Sequence, residues 1–154
     1  MKRQAFEGFT EAQLMAGLFW GEARMWEADK TEEMREYIAI GQVVMNRVKS
    51  KGYPDTIHDV ILQPGQFSCF NEDDPNNDKI WMFLKNQSPA AIYYTMLTVA
   101  TGVIAGLYEN KIADAKNYVA TWFYKTTKGS DHWCQKMFDI ARYGGHTFLT
   151  DYKQ

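Results

Sequence analysis

Apolar residues recur at helical spacing in the first third of the chain and predict two amphipathic helices. Thr10 and Gln13 have the spacing of a capping box, so the first helix is expected to begin near Glu11. The second helix is expected to begin at a Thr31 cap and to end before Gly52. The apolar positions of the two helices are Leu14, Met15, Leu18, Phe19, Tyr37, Ile40, Gly41, Val44 and Val48.

The middle of the chain alternates short helical patterns with polar segments. Its predicted elements are a helix from Thr56 through Leu62, an extended segment at 66–70, a polar loop at 71–79, a helix at 80–84 and a long buried helix opened by Ser88 and Pro89. The stretch 90–108 holds no charge and is long enough to cross a bilayer. Its tyrosines and threonines lower its apolarity, so we expect a buried helix of a soluble domain and no stable membrane insertion.

The last third of the chain is rich in aromatic and β-branched residues. Residues 118–124 predict a strand. Asp131 is expected to cap a last helix through Arg142, which Gly144 would end, and residues 146–149 predict a short strand. The whole pattern predicts an α+β fold, predominantly helical with a few short strands, in a single domain over 1–154.

Charge and cysteine content exclude several classes of function. Seventeen cationic and 19 acidic residues give a net charge of −2, which argues against nucleic-acid binding. Cys69 and Cys134 are expected to be reduced and structural, with a single disulfide as the alternative. The histidines and cysteines lack zinc-ligand spacing, and the acidic loop at 74–78 lacks the glycine and glutamate of an EF-hand. We therefore expect no metal and no cofactor.

Glu22 is the residue with the most informative surroundings. It follows Met15, Leu18 and Phe19 by seven, four and three positions, so it lies on or beside the apolar helix face, with Trp20 and Trp26 nearby in sequence. Burial disfavours the charged form of a carboxylic acid. An acid that keeps its proton near neutral pH can protonate a glycosidic oxygen, as a glutamic acid of lysozyme does. The simpler alternative is a boundary residue of the helix.

Four segments, in order, resemble the cell wall hydrolase family typified by the spore-cortex-lytic enzyme SleB. They are GEAR at 21–24, IGQVVMNRV at 40–48, VILQPGQFS at 60–68 and GGHTF at 144–148, and the resemblance covers roughly 14–149. It implies a lysozyme-like and lytic-transglycosylase-like α+β domain that acts on peptidoglycan glycan strands. It also implies that Glu22, the glutamate of the GEAR segment, is the catalytic acid/base.

Seven further residues are candidates for substrate binding, each with a simpler structural alternative. Gln66 and Ser68 would bond sugar hydroxyls or satisfy their own loop, and Phe67 would stack on a sugar or belong to the core. His146 is either a ligand or a satisfied structural histidine, and Asn46 either orients Glu22 or caps buried backbone. Trp122 and Tyr124 would share one face of the predicted strand and point into a cleft.

Glycoside cleavage normally uses two carboxylates, and one of these is missing from the apolar pattern. Candidates for a second carboxylate are Glu72, Asp73, Asp74 and Asp114, all in predicted loops. Lytic transglycosylation needs only Glu22, because the muramoyl 6-hydroxyl supplies the nucleophile. The alternatives are a hydrolytic muramidase, a non-catalytic wall-binding module and a metal-dependent amide hydrolase.

The N-terminal residues lack the apolar run of a signal peptide. With the small single-domain format, this favours a phage or prophage endolysin that is made in the cytoplasm and reaches the wall through a holin, and a bacterial enzyme without an export signal is the alternative. We also expect a monomer.

Overall fold

The computed structural model describes residues 1–23, 30–112 and 114–152. Its elements are α1 (Glu11–Glu22), α2 (Lys30–Val48), α3 (Ile57–Ile61), α4 (Asn77–Asn86), α5 (Ala90–Ile104), β1 (Asn117–Ala120), α6 (Thr121–Thr126), β2 (Met137–Tyr143) and β3 (His146–Tyr152). Short 3-10 helices cover Arg3–Gly8, Ser68–Phe70 and Trp133–Lys136. The prediction of a predominantly helical α+β fold is confirmed.

Helix α1 is the centre of the helical part and carries Glu22 at its last position. The capping box of Thr10 and Gln13 begins it as predicted. Two glycines on one side of α1 allow close packing: a Cβ on Gly17 would lie 2.9 Å from a methyl group of Leu84, and one on Gly21 would lie 2.6 Å from Ile80. The last turn of α1 is therefore held tightly against α4 and the Ser68–Phe70 turn, which fixes where Glu22 emerges.

The three strands form one antiparallel sheet in the order β1-β3-β2. Gly144 and Gly145 form the tight turn between β2 and β3, and Tyr143 pairs with His146 beyond it. On the other edge of β3, Ala120 also pairs with His146. Phe148 of β3 is fully buried in the main core, so the sheet packs directly on the helices.

A second, smaller core lies beneath the sheet and α6. It consists of Cys134, Met137 and Leu149, with Val119, Phe123 and Tyr124 packed against it.

Both Cys69 and Cys134 are buried free thiols, in agreement with the prediction. Within the described ranges, no helix is long and apolar enough to cross a membrane.

Several predicted elements are wrong in type or boundary. Residues 66–70 form no strand but run into a 3-10 helix, and α4 begins at Asn77 within the predicted loop. Lys30, the first described residue after Ala23, is already helical, one residue before the expected Thr31 cap. Pro89 is the N-cap of α5, not its first helical residue. The prediction at Thr56 is confirmed, because its side chain accepts from the Asp59 N–H.

The largest errors lie between 118 and 142. The predicted strand ends at Ala120 and α6 follows, while the predicted last helix is the short 3-10 helix and strand β2. Gly144 and Gly145 are the physical reason for the second error. A glycine pair is both a helix-ending signal and a two-residue hairpin turn, and here the backbone hydrogen bonds between β2 and β3 select the hairpin.

Candidate active site

A groove of about 290 Å³ lies where the end of α1 meets β1 and α6. Its lining residues come from both the helical part and the sheet. They are Glu22, Arg47, Gln66, Phe67, Ser68, Tyr118, Val119, Ala120, Trp122, Phe123 and His146. The groove is thus built from two parts of the fold that are distant in sequence.

Glu22 is the one carboxylic acid among the described residues that line the groove. Its side chain is half-buried at the C-terminal end of α1, in agreement with the predicted position beside the apolar face. The loop acids proposed as a second carboxylate, Glu72, Asp73, Asp74 and Asp114, do not line this groove. Trp26, expected beside Glu22, lies outside the described residues.

Two weakly acidic groups face the Glu22 carboxylate. Burial, followed by the charge of Glu22, raises the pKa of the Cys69 thiol well above its ordinary value, and the same two causes raise the pKa of Tyr118. The Tyr118 hydroxyl is enclosed and has no hydrogen bond of good geometry to the residues described. Both groups therefore stay protonated next to Glu22 and can donate to its carboxylate form.

Arg47 of α2 is a buried cation behind the groove. Its Nε donates to the Lys116 carbonyl (2.7 Å) and its NH1 to the Gln66 side-chain oxygen (3.3 Å), while the guanidinium lies 4.8 Å from the Phe67 ring centroid. Burial lowers the pKa of Arg47. These contacts hold the 66–68 segment in place, and they cover one face of Phe67 with a cation.

The sequence did not single out Glu36, yet Glu36 orients His146. The Glu36 carboxylate is fully buried, with Oε1 2.9 Å from His146 Nδ1, and its Oε2 accepts from the Gly145 N–H at 3.2 Å. The His146 ring contacts Tyr118 edge to face at 5.0 Å. Glu36 precedes Ile40 and Val44 at four-residue spacing, so an acid on the apolar stripe of α2 was the available signal.

The structure brings six of the eight predicted site residues together. Glu22, Gln66, Phe67, Ser68, Trp122 and His146 line the groove. Among them, Phe67 is 3% exposed and belongs to the main core, which matches its structural alternative.

Asn46 and Tyr124 do not line the groove. The Asn46 amide donates to the carbonyls of Ile112 and Ala115, both at 2.9 Å, so it satisfies buried backbone instead of orienting Glu22. Tyr124 packs on the second core because residues 121–126 are helical, and the strand alternation that would have aimed it into a cleft does not exist.

A larger cavity of about 530 Å³ lies between α2 and the segment after α5. Its acid, Glu109, is exposed to solvent, and the cavity contains none of the predicted site residues. Acid/base chemistry needs a partly desolvated group close to the substrate, so the smaller groove is the better candidate active site.

A predominantly helical domain with a small three-stranded sheet is a lysozyme-like α+β fold. The sequence model of the Cell Wall Hydrolase family matches residues 31–149, and the chain belongs to that family. It is therefore a peptidoglycan-degrading enzyme. The match begins after Glu22, so the assignment of the acid depends on the structure and on the GEAR resemblance.

Two solved structures share the fold. One is the catalytic domain of the germination-specific lytic transglycosylase SleB from Bacillus anthracis, at a TM-score of 0.58 and 21% identity, covering 93% of this chain and 98% of that one. The other is the catalytic domain of the Bacillus cereus SleB protein, at a TM-score of 0.57 and 22% identity, covering 93% of each chain. A search of curated protein sequences finds no match.

Proposed function

We propose that this enzyme cleaves peptidoglycan between N-acetylmuramic acid and N-acetylglucosamine as a lytic transglycosylase, with Glu22 as general acid and then general base. The observation that carries the proposal is the single half-buried carboxylic acid among the described groove residues. The similar fold of a domain called a lytic transglycosylase supports it.

In the first step, Glu22 gives its proton to the bridging oxygen as the bond to the muramoyl anomeric carbon breaks. In the second step, the Glu22 carboxylate takes the proton of the muramoyl 6-hydroxyl, whose oxygen bonds to the anomeric carbon. The products are a 1,6-anhydro sugar and a free 4-hydroxyl. Tyr118 and Cys69, whose pKa values are raised, lie protonated beside the Glu22 carboxylate between the two steps.

The test is the Glu22→Gln variant on purified peptidoglycan, with product masses. We expect cleavage to fall by about 10²- to 10⁴-fold, the range for one general acid/base. Glu7→Gln, an exposed acid outside the groove, is the matched control and should keep full activity. Undiminished cleavage by Glu22→Gln would contradict the proposal and favour the non-catalytic wall-binding alternative.

The masses of the products distinguish transglycosylation from the first alternative, hydrolysis of the same bond by a muramidase. Anhydro ends weigh one water less than reducing ends. A hydrolytic enzyme would give reducing ends and would need a second carboxylate, so neutralising one of the loop acids Glu72, Asp73, Asp74 or Asp114 would then reduce activity. The amide-hydrolase alternative requires a metal, and inhibition by a chelator would support it.

The cellular route stays a prediction. If the enzyme is of the endolysin type, it accumulates in the cytoplasm and reaches the wall after holin release. Fractionation of expressing cells, with and without a co-expressed holin, tests this prediction.

A further inference from the structure

Four aromatic rings in successive contact lead away from the groove. Trp122 and Phe123 line it, with their ring centroids 5.7 Å apart. Phe123 contacts the His132 ring at 5.0 Å, and His132 contacts Trp133 at 5.6 Å. We call these four residues the aromatic track.

The two tryptophans at the ends of the track are open to solvent. Trp122 is 66% exposed and Trp133 is 39% exposed, whereas Phe123 and His132 between them are half-buried. Two supporting rings therefore lie between two rings whose exposed surfaces can bind a ligand.

The supporting rings are held rigidly. Phe123 packs on the second core, which contains Cys134. The His132 ring is fixed through Nδ1, which lies 3.1 Å from Cys134 Sγ and accepts from the Cys134 N–H at 3.4 Å. Rigid aromatic side chains bind with a low entropy cost, because little freedom remains to be lost. The second core thus gives a firm base to an exposed surface.

The charge around the track differs from that of the chain as a whole. Residues 121–143 carry four cationic side chains, Lys125, Lys128, Lys136 and Arg142, against Asp131 and Asp139, whereas the whole chain has a net charge of −2. The three lysines are exposed. A locally basic surface attracts a polymer that carries carboxylates.

We propose that the aromatic track binds a continuing glycan strand of peptidoglycan beyond the groove. The apolar faces of its N-acetylated sugars stack on Trp122 and Trp133, and the carboxylates of its peptide stems lie near the lysines. The proposal rests on the proposed function for the identity of the polymer. It adds Trp133 as a binding residue and makes the enzyme selective for long strands.

The test measures binding without cleavage. In the Glu22→Gln background, co-sedimentation with insoluble sacculi should show about tenfold weaker binding for Trp133→Ala, the effect of losing one aromatic anchor. Trp133→Phe keeps a ring and should restore most of the binding. Leu107→Ala removes an apolar side chain that is 76% exposed elsewhere, and it should bind like the parent. Thermal unfolding checks that each variant is folded.

In the active protein, Trp133→Ala should lower kcat/KM more for long strands than for short soluble fragments. Unchanged binding of Trp133→Ala to sacculi would contradict the proposed role of the aromatic track. An equal loss of binding in Leu107→Ala would also contradict it. A Trp133-dependent self-association of the protein alone, seen by analytical ultracentrifugation, would also overturn it in favour of a contact between copies.

The two proposals fail separately. If Glu22→Gln still cleaves peptidoglycan while binding depends on Trp133, the role of Glu22 is wrong and the track stands. If Glu22→Gln is inactive and Trp133→Ala binds normally, the track is wrong and the proposed function stands.

Discussion

The helical body, residues 1–23 and 30–112, and the sheet region, residues 117–152, contribute to the groove in different ways. The helical body has the large continuous core, with Leu18, Phe19 and Ile40 fully buried, and it holds Glu22 at the end of α1. The sheet region depends on three fully or nearly buried residues of its own, Cys134, Met137 and Leu149. The proposed acid is therefore fixed by the more strongly packed region, and the opposing wall of the groove is supplied by the weaker one.

The largest expected difference concerns core packing. Phe19 is fully buried and stacks on Tyr37 with centroids 5.5 Å apart. Phe19→Ala should lower the free energy of unfolding by about 3–5 kcal/mol, because a large cavity replaces the ring. Ile140→Ala on strand β2, where the side chain is 44% exposed, should change it by less than about 0.5 kcal/mol. Urea denaturation measures both, and similar losses would contradict the contrast between the two regions.

The second prediction concerns the contact that joins the regions. Gly144 has a φ of 55°, and a Cβ there would overlap the buried Glu36 carboxylate. Gly144→Ala should lower the free energy of unfolding by about 3 kcal/mol, because it combines backbone strain with displacement of a buried charge from its partners.

Two other glycines separate these causes. Gly129 has a φ of 82° with no atom near its Cβ position, so Gly129→Ala measures strain alone. Gly145 has open space and no positive φ, so Gly145→Ala should be nearly neutral. If Gly129→Ala costs as much as Gly144→Ala, the Glu36 contact contributes nothing.

The same division explains what the sequence could predict. In the helical body, apolar spacing and side-chain caps act within a few residues. The caps at Thr10 and Thr56 and the position of Glu22 therefore follow from the local sequence pattern. In the sheet region, Trp122, Tyr124 and Gly144 carry signals that suit more than one structure. Pairing with β3 decides among those structures, and such pairing involves residues too distant for a local pattern to show.

The candidate site was predictable to a similar extent. Glu22 became a candidate because an acid on an apolar helix face is a local signal and because the GEAR segment resembles the family's motif. Glu36 has the same signal on α2, but its partners, His146 and Gly145, lie more than 100 positions away. The structural role of Asn46 likewise depends on carbonyls at 112 and 115.

A third prediction concerns local opening of the sheet region. Met137 is 5% exposed in the second core. Met137→Ala should destabilise the sheet region by about 2 kcal/mol, so hydrogen exchange at β2 amides should quicken while exchange at α1 amides stays slow. Equal acceleration in both regions would show that they open as one unit.

The smallest expected effect is the response to alkaline pH, which differs between two tyrosines of the sheet region, Tyr118 in the groove and Tyr124 on α6 outside it. Burial raises the pKa of Tyr118 well above 10.0, and it raises that of Tyr124 less. A folded-state pKa above the unfolded value means that the native protein binds more protons at high pH, so stability is complete below about pH 10 and falls as the pH rises beyond it.

The slope from one such group reaches about 1.4 kcal/mol per pH unit. Tyr118→Phe should remove the part of the slope that Tyr118 contributes and keep the part from the Cys69 thiol, whose pKa is also raised, whereas Tyr124→Phe should leave most of the alkaline loss. At pH 7, Tyr118→Phe should be near neutral in stability, because the hydroxyl has no hydrogen bond of good geometry to the described residues that would be lost. Urea midpoints between pH 7 and pH 11 make the comparison. If the two variants have equal slopes, the Tyr118 side chain in the groove is buried no more deeply than the Tyr124 side chain on α6. The proton of Tyr118 would then be no more secure beside Glu22 than at the surface.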